Sequence, residues 1–222
     1  MKPEQLVRQY DILPPSKTEK IIAVIGAGAI GSQVVMCLAK MGFDNIRVFD
    51  DDVVSEENIS NQWFGEIDIG FKKVDALAEH ACRMAMTMPA SYPVRVTEDA
   101  GDLAAVELII SAVDSMEARK VIYERAQTTS TVTHLIDPRM SAESGAIYVV
   151  DMMDKSSREA YESFLHTDGE AIQEPCTAKA TMYCSMVLAG LTCGIVKDVV
   201  TGNKLVKSLM ISMKNLDVMV FR

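Results

Sequence analysis

Short apolar runs of strand length alternate along this chain with longer stretches of helical period. Residues 19–25 (EKIIAVI) are apolar and β-branched, the pattern of a buried strand. They run into residues 26–31 (GAGAIG), after which residues 32–41 read as a helix that Gly42 ends. A second short strand, residues 46–49, leads into Asp50-Asp51-Asp52. Strand, tight turn, helix and strand form the first unit of a right-handed parallel sheet. Residues 53–70 are polar and irregular, and a loop of that length inside a domain is usually functional or disordered.

The alternation continues. Residues 71–88 read as an amphipathic helix, 94–97 as a strand, and 106–113 (VELIISAV) as a buried strand ending at Asp114. A helix over 115–127 has Ser115 available as its cap. Residues 132–136 form a strand that Asp137-Pro138 stops, and 145–150 form another. Residues 155–175 are a polar crossover with a short helix, 177–200 a long apolar helix, and 209–221 a hairpin around Lys214-Asn215. No repeat or low-complexity segment interrupts the pattern. It predicts an α/β fold: a Rossmann-like, doubly wound, mostly parallel sheet with antiparallel strands added at the C-terminal end. The 222 residues suit one domain, with a nucleotide-binding core over 19–140 and a C-terminal helix and strands over 141–222.

Composition narrows the function. The apolar fraction of 49% supplies a sizeable core. A net charge of −9 argues against nucleic acid and against an anionic membrane surface, both of which call for a basic footprint. It does not argue against a nucleotide, which local cations can hold. The apolar stretch 182–196 is shorter than the roughly 18–20 residues a membrane span needs, so a core or dimer-interface helix is expected. Five cysteines at wide spacings and a polar opening, MKPEQLVRQYD, point to a cytoplasmic chain with reduced thiols.

The first candidate chemistry is Gly26-x-Gly28-x-x-Gly31, between a strand and a helix. Glycines there allow a tight turn and close approach of backbone N–H groups to phosphate or ribose. Asp50, 19 residues after Gly31 at the end of the next strand, is placed to accept hydrogen bonds from ribose hydroxyls. Dehydrogenases, methyltransferases and flavoproteins share this fingerprint, so it does not choose among them.

Four further motifs do. Asp50-x-Asp52 is followed by Asn58-Ile-Ser-Asn61-Gln62, then by Ile69-Gly70-Phe-Lys72-Lys73 before a helix, and by Asp114 in SAVDS. This order resembles the MoeB/ThiF superfamily, which includes the ubiquitin-activating enzymes. Its members carry an acid-x-Asp, an Asn followed by x-x-Arg-Gln, an Ile-Gly-x-x-Lys and a strand-ending aspartate. The resemblance covers residues 8 to 140 well and the remainder loosely. It implies an ATP-dependent adenylyltransferase that activates a carboxylate, the C-terminal glycine of a ubiquitin-like or sulfur-carrier protein, and releases pyrophosphate. Peptide or RNA-linked carboxylates are also compatible. In that reading Gly26, Gly28, Gly31, Asp50, Asp52, Asn58, Asn61, Gln62 and Lys73 bind the nucleotide. Lys73 is the fixed cation and Asp114 holds Mg²⁺. No protein nucleophile is needed, because orientation and charge carry this chemistry.

The chain departs from the superfamily at two places. Asn61 stands where the motif has arginine, and an amide cannot neutralise a γ-phosphate. Arg8, Lys72 and Arg139 are the candidate substitutes. Arg8-Gln9 resembles the N-terminal Arg-Gln whose arginine reaches the partner subunit's ATP in dimers of this superfamily. A homodimer is therefore expected, packed through the long apolar helix at Ala189, Gly190 and Gly194. The second departure is zinc. Many relatives carry paired C-x-x-C motifs, whereas Cys176, Cys184 and Cys193 have seven and eight residues between them, so no structural zinc is expected.

Cys176, in the polar setting Glu-Pro-Cys176-Thr-Ala-Lys179 at a helix start, is either a nucleophile for the activated acyl group or a small buried cap residue. The other four cysteines read as core. Two other functions stay open: a catalytically weakened regulatory subunit, which Asn61 favours, and an NAD-dependent oxidoreductase resting on the glycine loop alone.

Overall fold

Strand β1 (Ile22–Ile25) is buried at all four positions, which is why its sequence shows no polar alternation. In this computed structural model, which describes residues 3–165 and 180–222, it lies at the middle of the parallel half of an eight-stranded sheet. Its neighbours are β2 (Ile46–Phe49) on one side and β4 (Leu108–Ser111), also fully buried, on the other. With β3 (Ala90–Tyr92), β5 (His134–Ser141), β6 (Ser144–Asp151), β7 (Ser208–Ser212) and β8 (Asp217–Phe221), the order is β3-β2-β1-β4-β5-β6-β7-β8. Pairings are parallel from β3 through β5 and antiparallel from β5 to β8. This is the doubly wound sheet with C-terminal antiparallel strands that the alternation predicts.

Helices cover both faces. After the short N-terminal α1 (Pro3–Leu6), helices α2 (Ala29–Met41) and α3 (Lys73–Ala85) pack on one face. Helices α4 (Met116–Thr128) and α5 (Lys155–Glu162) pack on the other through Ile122, Tyr123, Ala126 and Tyr161. Helix α6 (Met182–Thr201) joins α2 on the first face through Leu188, Cys193 and Val196. It is long and apolar enough to cross a membrane by length and composition, and half of it is buried inside this fold. Ala189, expected on its outer face, is buried. Tyr183, Met186 and Gly190 form the exposed stripe instead, with Gly194 half-buried one turn on.

Three boundaries differ from the sequence expectation, each for a local reason. The strand expected at 94–97 forms at Ala90–Tyr92, where Tyr92 precedes Pro93 and is held extended by it. Val96 instead drops into the core beside α4. Strand β5 does not stop at Asp137-Pro138 but continues to Ser141. Its pairing with β4 ends at Ile136, and Pro138 pairs only with β6. A residue without an N–H is tolerated where one side of the strand has no ladder partner. Helix α3 starts at Lys73 and is ended by Met86, which takes φ 55° and returns its N–H to Cys82. Ser115 caps α4 as expected, its Oγ accepting from the Ala118 N–H at 3.2 Å. The β7–β8 hairpin turns at 213–216, and β8 is exposed along its whole length.

The glycine turn is the tightest contact between these elements. Gly26 takes φ +95°, and a Cβ there would stand 2.5 Å from the Ala112 carbonyl oxygen. A Cβ on Gly31 would stand 1.8 Å from the Gly26 oxygen, so α2 and the turn fit only without one. We expect Gly31→Ala to lower the unfolding free energy by about 3 kcal/mol, measured by urea denaturation. An unchanged midpoint would disprove the close fit.

Candidate nucleotide site

The site is built by where the parallel strands end. Ile25 pairs with Phe49 on β2 and with Ser111 on β4. Gly26, Asp50 and Ala112 therefore leave the sheet side by side at its carboxyl end, the ligand side of open α/β sheets. Of the three motif glycines, Gly26 and Gly31 are committed to packing, whereas Gly28 has no atom within 4 Å of where its Cβ would stand. Gly28 is also the N-cap of α2, and no side chain caps that helix. No side chain caps the N–H groups of the first turn, and the Cβ side of Gly28 is open, a ready anion position.

Asp50 fixes this turn. One carboxylate oxygen accepts from the Ala27 N–H at 2.7 Å and the other from the Asp52 N–H at 2.8 Å. Each oxygen keeps a lone pair for a ribose hydroxyl. Carboxylate oxygens of Asp50, Asp51 and Asp52 lie within 4.8 Å of one another, a density of negative charge that needs a counter-cation.

Lys73 supplies one at Asp52, and Arg95 Nε meets Asp51 Oδ1 at 3.3 Å. The segment after β2 is stitched to the start of α3 by the Val53–Lys72 bridge and by the Lys73 N–H to Asp52 oxygen bond of 3.2 Å. This sets Lys73 Nζ 2.8 Å from Asp52 Oδ2, with the lysine side chain 8% exposed and the aspartate 58% exposed. A solvated surface lysine is what its neighbour provides: Lys72 is partly exposed, with Nζ donating to the Asp51 carbonyl at 2.6 Å.

The segment between β2 and α3 is folded more tightly than its polar sequence suggests. Asn58 is buried, and its Oδ1 accepts from the Ser55 N–H at 3.0 Å, so at least that oxygen serves the loop itself. Asp68 Oδ2 accepts from the Gly65 N–H at 2.7 Å and meets His80 Nε2 on α3 at 2.8 Å. At the other end the Trp63 N–H donates to Ser32 Oγ in α2 at 3.0 Å, holding Asn61 and Gln62 beside the start of that helix. Their side-chain oxygens, Asn61 Oδ1 and Gln62 Oε1, are buried without a hydrogen-bond partner. Buried polar atoms are rarely left so.

Asp114 follows β4 and is exposed. Ser115 makes the cap of α4, so Asp114 is not consumed by that role.

Beside it lies a cluster that the sequence reading missed. Asp137, fully buried, receives Arg119 Nε at 2.9 Å, Arg139 Nε at 2.8 Å and the Tyr161 hydroxyl at 2.8 Å. Arg139 Nη2 also lies 2.7 Å from Asp137 as an ion-pair contact rather than a directed hydrogen bond. Its guanidinium sits 4.5 Å from the centre of the Tyr148 ring. Burial works against the Arg139 charge, and Asp137 outweighs it, so its pKa is raised. The Tyr161 hydroxyl is raised too, by burial first and then by Asp137, which keeps it a donor. Arg139 is thus engaged and is not a free substitute for the motif arginine. The clue in the sequence is Asp137-Pro138-Arg139, an acid-Pro-Arg inside a strand run.

One expected residue, Arg8, is not brought to this place. The N-terminal segment packs at the far end of α2, where Gln9 Nε2 donates to the Met41 oxygen at 2.6 Å. Arg8 is exposed there, separated from the glycine turn by a 13-residue helix, about 20 Å. Cys176 and Lys179 lie outside the described residues. Of the other cysteines, Cys184 and Cys193 are buried, while Cys37 and Cys82 are only half-buried.

Comparison with known proteins follows the same lines. Residues 16–221 match the family model described as the ThiF family. The chain is 28% identical over 135 residues to the Nedd8-activating enzyme E1 catalytic subunit of Drosophila melanogaster, covering 54% of this chain and 30% of that protein. It is 28% identical over 135 residues to tRNA threonylcarbamoyladenosine dehydratase 1 of Saccharomyces cerevisiae, covering 55% of this chain and 32% of that protein. The chain thus matches only about a third of the length of these relatives. Among solved structures, E. coli MccB with ATP superposes with a TM-score of 0.73 at 16% identity, over 99% of this chain and 71% of that one. That likeness is one of fold. With the family match spanning residues 16–221, the chain belongs to the ThiF family.

Proposed function

We propose that this protein binds ATP with Mg²⁺ at the carboxyl end of its sheet and transfers AMP to a carboxylate, releasing pyrophosphate. The observation that carries this reading is the open face of Gly28 at an uncapped helix start, beside a buried Lys73. The unpartnered oxygens of Asn61 and Gln62 fit the same place, since a bound nucleotide offers them donors, or their amide groups turn to donate to phosphate. The MccB structure was solved with ATP.

In the reaction an acceptor carboxylate oxygen attacks the α-phosphorus, the bond from that phosphorus to the bridging oxygen breaks, and pyrophosphate leaves with the electron pair. The N–H groups around Gly28 and Lys73 are already in place when negative charge shifts onto the phosphate oxygens. Lys73 is already desolvated, so exchanging Asp52 for phosphate requires little reorganisation, and the exposed Asp52 returns to water. Asp50 orients the ribose. Asp114 would hold Mg²⁺, which would supply charge at the phosphates.

The acceptor is the C-terminal glycine of a ubiquitin-like or sulfur-carrier protein, in keeping with the relative named as a Nedd8-activating enzyme. The relative named as a tRNA-modifying dehydratase makes an RNA-linked carboxylate the competing acceptor, against which the charge of −9 counts. The weakened-subunit reading rests on Asn61. Lys72 and Arg139 are engaged elsewhere, so a replacement cation comes from Arg8 of a second copy. A homodimer supplies it, and the exposed stripe of Tyr183, Met186 and Gly190 on α6 is one apolar surface available for close packing.

Three measurements test this. ATP–pyrophosphate exchange, screened against small proteins ending in Gly-Gly, should appear with a matching acceptor. Lys73→Ala should cut it by about 2–4 kcal/mol of transition-state stabilisation; full exchange in the folded variant would remove Lys73 from the site.

Gly28→Val should leave the melting temperature within about 2 °C of wild type, because a Cβ at that position meets no atom within 4 Å. It should nevertheless abolish ATP binding in a calorimetric titration, and retained affinity would mean that the nucleotide lies elsewhere.

Arg8→Ala and Lys73→Ala proteins, each inactive alone, should regain exchange when mixed, because the mixed dimer rebuilds one complete site. Absence of complementation with dimers present would place the second cation within one chain.

A further inference from the structure

We infer that Asp137 and Arg119 are positioning residues that fix the direction of Asp114. The inference rests on the assignment of ATP and Mg²⁺ to this site and adds two residues to it. Asp114 is exposed and takes no part in capping α4, so its aim is set by the backbone on either side of it. On one side is β4, which ends at Ser111. On the other is the Ser115 carbonyl, which accepts from both the Arg119 N–H and Arg119 Nη1, each at 3.3 Å. Arg119 Nε is spent on Asp137 Oδ1 at 2.9 Å. One guanidinium therefore ties the Ser115 carbonyl, one residue beyond Asp114, to a carboxylate on the neighbouring strand.

That carboxylate cannot move. It is fully buried, and its other oxygen takes the Tyr161 hydroxyl from α5 and Arg139 Nε from β5. Arg139 Nη1 in turn donates to the Phe164 oxygen at 3.1 Å. Strand pairing runs to Ile110 and Ile136, so Asp137 stands next to the point where the chain leaves β4 toward Asp114. Helix α4, strand β5 and helix α5 thus converge on one side chain.

Stability alone does not call for such a cluster, because apolar side chains of similar volume hold a core at least as well as buried ions do. What a guanidinium adds is a rigid fork that can address two acceptors at once, which a lysine cannot do. Two arginines on one aspartate also leave the cluster with a net positive charge at the end of the sheet where Asn61 has removed one.

The test is the Mg²⁺ dependence of ATP binding, followed with a fluorescent ATP analogue at stepped Mg²⁺ concentrations. It is run on the wild-type chain and on Arg119→Lys, Asp137→Asn, Asp114→Asn and Tyr161→Phe, with a thermal melt of each. Arg119→Lys and Asp137→Asn should bind the metal-free analogue within about twofold of wild type. They should need about tenfold more Mg²⁺ or greater to reach half-saturation, the usual effect of removing a group that orients a metal ligand. Asp114→Asn should lose the Mg²⁺ effect. Tyr161→Phe, which removes one donor from the cluster but not the tie to Ser115, should lower the melt and leave the Mg²⁺ requirement unchanged.

Arg119→Lys keeps the buried charge and carries the test alone should Asp137→Asn fail to fold. Lower melting temperatures with a wild-type Mg²⁺ requirement would overturn the positioning role and leave the nucleotide site intact. A wild-type chain that binds the analogue without any response to Mg²⁺ would overturn the metal assignment, and this inference with it.

Discussion

Everything at the candidate site depends on the register of three parallel strands. Because Ile25 is matched to Phe49 and to Ser111, β1, β2 and β4 end level, and three loops begin within reach of one another. Hydrogen bonds continue the ladder just past those ends, from the Gly26 N–H to Phe49 and from the Ala112 N–H to Ile25, both at 2.8 Å. A slip of one residue would turn every strand side chain to the opposite face, and two buried layers of aliphatic side chains resist it. The chemistry-bearing residues need no long-range contacts of their own to meet. Asp50 and Asp114 each lie within a few residues of a strand end, and the glycine turn is the strand end itself.

The same register explains what was legible in the sequence. A residue just past a buried strand, or in the first turn of the next helix, inherits its position from a pattern visible in the chain. Gly28, Asp50, Lys73 and Asp114 are candidates of this kind. The Asp137 cluster was not visible, because its members come from α4, β5 and α5 and meet only in three dimensions. A local rule also concealed it: proline was expected to end the strand at 138, and that expectation overlooks that β5 has already lost its partner on one side. Strand β3 was misplaced for a related reason. β-branched residues at 94–97 suggest a strand, yet the position beside β2 goes to the residues just before Pro93.

Charge in this structure is placed by burial as much as by number. The chain carries a net −9, and at the carboxyl end of the sheet cations and aspartates stand in pairs. Lys73 and Arg119 are almost wholly buried and each is bound to a carboxylate. The two pairs differ in their partners. Asp52 is largely in water and can release its lysine, whereas Asp137 is sealed and cannot release its arginines. One pair suits exchange with a ligand and the other suits holding a shape. Neither distinction follows from the residue types.

The sheet also has two unlike edges. At one side β3 is three residues long and is followed at once by proline, which leaves little for another strand to pair with. At the other, β8 presents Val218, Met219, Val220 and Phe221, exposed on both faces and with no ninth strand beside them among the described residues. Such an edge is a template for cross-strand pairing between molecules, and only the charged residues around it, Lys214, Asp217 and Arg222, oppose that. In this chain, then, the surface open to association and the core that keeps it folded lie in different places.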